Sequence, residues 1–167
     1  AGYKFDPADP DIRRVAKSLR KGRFRELASA KAINRFLCTG FSYVLDDTQE
    51  PAAATLASRT GSCSELSRLF AALCRSAGIP TRFAAGSRLR SNIECYADAV
   101  HHRWVEIHLS NHGWFPVDVS RNVSTGQPQR CFGQPPPDML VLLRIAGVEC
   151  SALYSTGLAL TSSLVPL

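Results

Sequence analysis

The sequence predicts an α+β fold: N-terminal helices whose central member packs on an antiparallel β-sheet. Three observations predict it. Apolar residues recur at three- and four-residue spacing between Pro10 and Ala77, the mark of amphipathic helices. Beyond Gly78 the pattern changes to alternation, clearest over Val100–Leu109 and Trp114–Val119. Those two stretches are joined by Ser110-Asn-His-Gly113, short enough to be a hairpin turn. Helices first and strands after is the order of an α+β domain rather than of a parallel α/β sheet.

The elements follow in chain order. Asp9-Pro10 reads as an N-cap followed by proline at the first helical position, and Gly22 closes that helix. Residues 24–38 form a second helix, with Leu27, Ala30, Ile33 and Leu37 on one face and Gly40 just past its end. Phe41-Ser-Tyr-Val is a short extended piece, Asp46–Glu50 a polar loop, and Pro51–Ser58 one or two helical turns. The third long helix begins at Ser62 or Cys63. Ser62 and Glu65 have the spacing of a capping box. Leu66, Leu69, Phe70, Leu73 and Ala77 line its apolar face, Gly78 ends it and Pro80 prevents its continuation. This is the expected central, buried helix.

Thr81–Gly86 reads as a strand and 87–98 as a polar loop. In Val100–Leu109, His102, Trp104, Glu106 and His108 share one face, and Arg103, Val105, Ile107 and Leu109 the other. A hairpin register that pairs even with even positions sets Asp118 on the face of His102; a slip by one residue would separate them. Arg121–Asp138 reads as loop, Leu140–Ile145 as a strand, and the apolar tail from Val148 as one or two more.

A length of 167 residues favours one domain, residues 1–167, with a core large enough to need no staple. The start Ala-Gly-Tyr-Lys lacks an initiator Met, which points to a fragment of, or a product processed from, a longer chain. No apolar run reaches the roughly 20 residues of a membrane span. The compartment stays open. The net charge of +6 comes from sixteen Arg and four Lys against 14 acidic residues, with a cluster from Arg13 to Arg25. No aromatic-interleaved basic motif or finger spacing accompanies it, so a nucleic-acid partner is not expected.

The chemistry concentrates on three residues. Cys63 follows Gly61-Ser62 at the first turn of the best-defined helix, off its apolar stripe. The positive end of the helix dipole favours a thiolate there. By contrast, Cys38 and Cys74 sit on apolar stripes and read as small buried hydrophobes. With Cys63 set aside, five of the six cysteines remain, an odd number that fits no complete disulfide framework. His101 and His102 point to opposite strand faces, so only one can serve the thiol, and His102 is the one tied by parity to Asp118. Asp118 stands in an otherwise apolar run, Trp-Phe-Pro-Val-Asp-Val, where a buried carboxylate needs a partner such as an imidazole Nδ1–H. Trp104 and Trp114 are candidate walls of a substrate site, with core packing as the competing role. Glu106, His108 and His112 read as sheet surface or solvated groups. Cys95, His101, His102, His108 and His112 lie close in sequence but lack zinc spacing, and no phosphate loop is present, so neither metal nor cofactor is expected.

Thr60-Gly-Ser-Cys63-Ser-Glu-Leu-Ser-Arg-Leu-Phe-Ala-Ala-Leu-Cys-Arg-Ser-Ala-Gly-Ile-Pro-Thr-Arg82 resembles the core of the transglutaminase-like superfamily. The blocks His102-Arg-Trp-Val-Glu and Gly113-Trp-Phe-Pro-Val-Asp118 match its next two motifs in order and spacing, and Ala32-Ile-Asn-Arg-Phe-Leu with Phe41-Ser-Tyr43 resembles its lead-in helix and strand. The resemblance covers most of residues 24–120, and it is to the compact microbial type. It implies a papain-like fold and triad: Cys63 the nucleophile, His102 the base and acid, Asp118 the group that orients the imidazole. It also implies thiol-dependent acyl transfer on an amide of a peptide or protein substrate. The outcomes it leaves open are hydrolysis by a cysteine peptidase or amidase, transfer from protein glutamine to an amine, a peptide N-glycanase-like reaction, and a silent binding module. Hydrolysis is favoured, because a small domain has less surface with which to exclude water from a thioester.

Overall fold

The computed structural model describes residues 5–22, 25–46, 48–88, 101–134 and 138–145. Its elements run α1 (Pro10–Leu19), α2 (Glu26–Gly40), β1 (Ser42–Tyr43), α3 (Ala52–Ser58), β2 (Thr60–Gly61), α4 (Cys63–Ser76), β3 (Thr81–Arg88), β4 (His102–Leu109), β5 (Gly113–Val117), α5 (Val119–Thr125) and β6 (Met139–Ile145). The four long strands form one antiparallel sheet in the order β5-β4-β3-β6, and β1 and β2 form a separate parallel pair. Helices occupy one face of the sheet. The fold is therefore the α+β arrangement read from the sequence.

α4 is its axis. Every residue from Cys63 to Cys74 is buried, because α4 packs on β3 and β4 on one side and on α1, α2, α3 and α5 on the others. Leu66, Leu69, Phe70 and Leu73 meet Val105, Ile107 and Leu109 of β4 and Ile12, Ile33 and Leu37 of the flanking helices in one core. A helix buried all round must also satisfy its polar side chains. Arg103 of β4 donates to Ser64 Oγ at 3.1 Å, Ser67 Oγ donates to the Arg103 carbonyl at 3.5 Å, and Arg68 pairs with Glu65 at 3.4 Å. Arg68 also donates to the Gln49 side chain and, at 3.3 Å, to the Glu50 carbonyl, tying the loop before α3 to α4. Gly78, at φ +86°, ends the helix as expected.

Several boundaries differ from the sequence reading. Gly40 is the last residue of α2 rather than the residue after it, and Phe41 is the cap. β3 continues two residues past Gly86, to Arg88, after a register shift between Ala85 and Gly86 in its pairing with β6. A Cβ on Gly86 would stand 2.2 Å from the Leu140 carbonyl oxygen, so the shift depends on a residue without one. The larger correction is at Asp118. β5 ends at Val117, and the segment read as loop from Arg121 opens inside helix α5, which Asp118 caps by accepting from the Arg121 N–H at 3.1 Å. Val119 and Val123, one turn apart, bury against the core, and Gly126 closes the helix at φ +64°. The rest of the loop expected over 87–98 and the tail from Val148 lie outside the described residues.

Candidate active site

The site forms where the start of α4 meets the end of the β4–β5 hairpin. Cys63 is the first residue of α4. Ser62 precedes it with its side chain accepting from the Ser64 N–H at 3.2 Å, while Glu65 reaches back to accept from the Ser62 N–H at 3.0 Å. Glu65 also takes the Ser62 hydroxyl hydrogen bond. This capping box fixes the turn that presents Cys63. Gly61 permits the close approach: a Cβ there would lie 2.7 Å from Glu65 Cβ and 3.3 Å from Thr55 Cγ2.

β4 and β5 pair Val105 with Val117, Glu106 with Pro116 and His108 with Trp114, the even-with-even register expected. His102 Nε2 lies 2.6 Å from Asp118 Oδ2. The sequence reading gave the carboxylate the Nδ1 side of the ring; the structure gives it Nε2. The His102 side chain hydrogen bonds the Cys63 thiol, which also accepts the backbone N–H of Arg103. His101 turns the other way, its Nδ1 3.1 Å from Ser87 Oγ on β3.

The Asp118 carboxylate is fully buried and satisfied on both oxygens. Oδ1 accepts from Ser120 Oγ at 3.0 Å and from the Arg121 N–H, and Oδ2 meets Arg121 Nε at 3.4 Å as well as His102. Arg121 in turn reaches Asp138 at 2.8 Å. The Asp118 N–H donates to the Cys131 carbonyl at 3.0 Å. Behind it, the buried Asn122 donates to Asn34 Oδ1 on α2 at 3.2 Å and accepts from the Cys131 N–H at 2.8 Å. Arg121, Ser120 and Asn122 were missed in the sequence, because the helix that places them was not read there.

Charge is distributed accordingly. Burial pushes the Cys63 thiol up, but the hydrogen bond and positive charge of His102, with the N–H and charge of Arg103, outweigh it and hold the thiol below its ordinary value. Burial pushes His102 down, yet the hydrogen bonds and charges of Asp118 and Cys63 raise it to about 9. Each group therefore favours the charged form of the other. Burial raises the other described cysteines: Cys38 to about 11, Cys74 further, and Cys131 with the added effect of the Asp118 charge.

The two tryptophans part company. Trp104 is buried beside His102, ring centroids 6.2 Å apart and nearly parallel, and its Nε1 has no partner among the described residues. Trp114 lies opposite His108, six residues along β4 from His102, a rise of about 20 Å. There it stacks under Arg82, 4.1 Å from its ring, and edges against His108. It does not wall this site. Glu106 is not a solvated surface group either: it is buried between Arg82 at 2.6 Å and Arg144 at 3.1 Å. Among the described residues no group of three or more His, Cys, Asp and Glu could hold a metal ion, and no helix is long and apolar enough to cross a membrane.

Known proteins share this arrangement of helices and sheet. A candidate cysteine protease of Cytophaga hutchinsonii superposes with a TM-score of 0.61 at 20% identity, over 81% of this chain and 42% of its own. The periplasmic domain of TgpA from Pseudomonas aeruginosa, bound to ethylmercury, gives 0.57 at 27% identity, over 72% of this chain and 47% of that one. Legionella pneumophila LapG gives 0.50 at 13% identity, with 83% of each chain covered. The chain thus spans less than half the length of the first two. No curated protein matches it. The model of the transglutaminase-like superfamily matches residues 13–119, from α1 through Asp118. With well over half of the sequence inside that match, and the fold shared with these structures, the chain belongs to the transglutaminase-like superfamily.

Proposed function

We propose that the protein is a thiol-dependent acyl-transfer enzyme in which Cys63, His102 and Asp118 act as a triad on an amide of a peptide or protein. One observation carries the reading: a single imidazole hydrogen bonds a buried carboxylate, at 2.6 Å, and a thiol on the first turn of a helix. The Cys63 thiolate attacks the amide carbonyl carbon, and the π pair moves to oxygen. The Cys63 N–H, free of an intrahelical acceptor at the first helical position, suits the developing oxyanion. As the tetrahedral adduct collapses, the C–N bond breaks and the His102 imidazolium gives its proton to the leaving nitrogen. A thioester remains on Cys63. An acceptor then attacks it, His102 takes the acceptor's proton, and the C–S bond breaks to restore the thiolate. Water as acceptor gives hydrolysis, an amine gives transfer. Hydrolysis is the favoured outcome for a domain of this size. Asp118 keeps the ring oriented and stabilises its cation.

A peptide-library digest with unsubstituted protein and Cys63→Ala tests this. New amino termini formed only by the unsubstituted protein support hydrolysis. Incorporation of an added primary amine instead of water assigns transfer. Equal products from both proteins would remove the triad from the reaction.

A further inference from the structure

Beside the nucleophile the chain exposes three consecutive large apolar side chains. Tyr43, Val44 and Leu45 are 37%, 42% and 65% exposed. Strand alternation ordinarily buries one neighbour of such a run. This segment does not swing free. Tyr43 of β1 pairs with Gly61 of β2 in parallel register, and the Val44 N–H donates to the Gly61 carbonyl at 3.1 Å. Continued by one residue, that register sets Val44 across from Ser62, immediately before Cys63. At its far end the loop is held by Arg68, through Gln49 and the Glu50 carbonyl. α5, the helix that Asp118 caps, packs against β1. The strand therefore lies between the element that delivers Cys63 and the one that carries Asp118.

We infer that Val44 and Leu45 form a ledge that selects the acyl donor, and that the donor is a peptide with a bulky aliphatic residue next to the amide that reacts. This rests on the acyl-transfer reading and names its substrate class. The occupant follows from the position and chemistry of the ledge. A chain lying across Cys63 must pass one flank of the thiol. On this flank it meets two uncharged aliphatic side chains, with Ser42 before them and Asp46 and Thr48 beyond. An aliphatic side chain placed there removes apolar area of both partners from water, whereas a polar one gains nothing from it. Peptides with Asp or Glu at that position would in addition stand close to Asp46.

Binding by Cys63→Ala tests the ledge without turnover. Fluorescently labelled peptides that differ only in Leu, Ser or Asp at one position are titrated into Cys63→Ala, Cys63→Ala with Val44→Ser, and Cys63→Ala with Leu45→Ser. We expect the Leu peptide to bind about tenfold more tightly than the Ser peptide, the scale of small apolar contacts. Each serine substitution should shrink that ratio while leaving the Ser peptide's Kd unchanged. Unchanged thermal midpoints establish that the variants fold, since both positions are exposed. Equal affinities for the Leu and Ser peptides at every position scanned, or a Leu preference that survives both substitutions, would overturn the ledge. An aliphatic preference that depends on Leu45 in a protein that cleaves nothing would retain the ledge and remove the catalytic reading. Turnover by Cys63 without the preference would do the reverse.

Discussion

His102 Nε2 and Asp118 Oδ2 are 2.6 Å apart although the hairpin register sets Trp104, not His102, across from position 118. Val105 faces Val117, so the next pair outward is Trp104 with Asp118. The contact is a diagonal, about 7–8 Å between Cα atoms in a regular ladder and within reach of an aromatic ring such as imidazole. The chain leaves the strand at Asp118 to start α5. The N-cap backbone, with ψ 89°, turns the carboxylate toward the imidazole while its other oxygen caps the helix. One residue therefore ends a strand, starts a helix and hydrogen bonds the ring.

Asp118→Asn follows from that triple duty. Asparagine keeps an oxygen for the Ser120 hydroxyl and the Arg121 N–H, so α5 should persist. It offers no negative charge to His102 or to Arg121. The corresponding change in a serine triad costs ~10⁴ in turnover; here the thiolate–imidazolium pair sustains part of the reaction and the expected loss is roughly 10–10³-fold. Circular dichroism should be nearly unchanged. Full activity in Asp118→Asn on a substrate that Cys63→Ala abolishes would reduce the site to a dyad.

The pH dependence has a definite direction. Asp118 and Cys63 hold His102 up to about 9, so the imidazolium survives well above the range of a free imidazole. The Cys63 thiol is held below its ordinary value, so its thiolate forms at lower pH than that of a free thiol. A plot of kcat/KM against pH should be a broad bell, its acid limb tracking thiolate formation and its alkaline limb falling near pH 9. In Asp118→Asn the carboxylate's hydrogen bond and charge are gone, and the alkaline limb should move to lower pH. An alkaline limb that stays in place would show that Asp118 does not sustain the cation.

Glu65 and Arg68 should be more costly to separate than to replace together. Both are buried, on adjacent turns under Cys63, and Glu65 also completes the capping box. Glu65→Ala removes the cap partner and takes a counter-charge from a buried guanidinium, an expected loss of about 3 kcal/mol in urea unfolding. Combining Glu65→Gln with Arg68→Met should cost less than Glu65→Ala alone. Additive losses would mean that the two side chains act independently.

The sequence carried most of the site and less of what supports it. Ser62 and Glu65 announce the start of α4 through a local motif, and the apolar stripe of Leu66, Leu69, Phe70 and Leu73 needs no tertiary knowledge to be read. The β4–β5 register follows from the length of the turn and the alternation on either side. α5 was hidden because Val-Ser-Arg-Asn-Val-Ser-Thr is poor in strong helix formers. Capping by Asp118, burial of Val119 and Val123 and the Asn122–Asn34 contact stabilise it, and most of these come from the fold. The β1–β2 pair was equally hidden, since Thr60-Gly61 has no strand signal of its own. Trp114 shares a sheet face with Trp104, and parity alone gives a face, not a place along the strand. Glu106 looked like sheet surface because its two arginines arrive from β3 and β6, 24 and 38 residues away.

The most direct measurement is site-resolved alkylation. The protein is treated with limiting iodoacetamide at pH 7, and adducts are mapped by mass spectrometry in the unsubstituted chain and in His102→Ala. Among the described cysteines Cys63 should carry nearly all of the label, since burial raises Cys38, Cys74 and Cys131. His102→Ala removes the hydrogen bond and charge that offset burial at Cys63, so its labelling rate should fall as the thiolate fraction drops. Preferential labelling of another cysteine, or a Cys63 rate indifferent to His102, would contradict the triad.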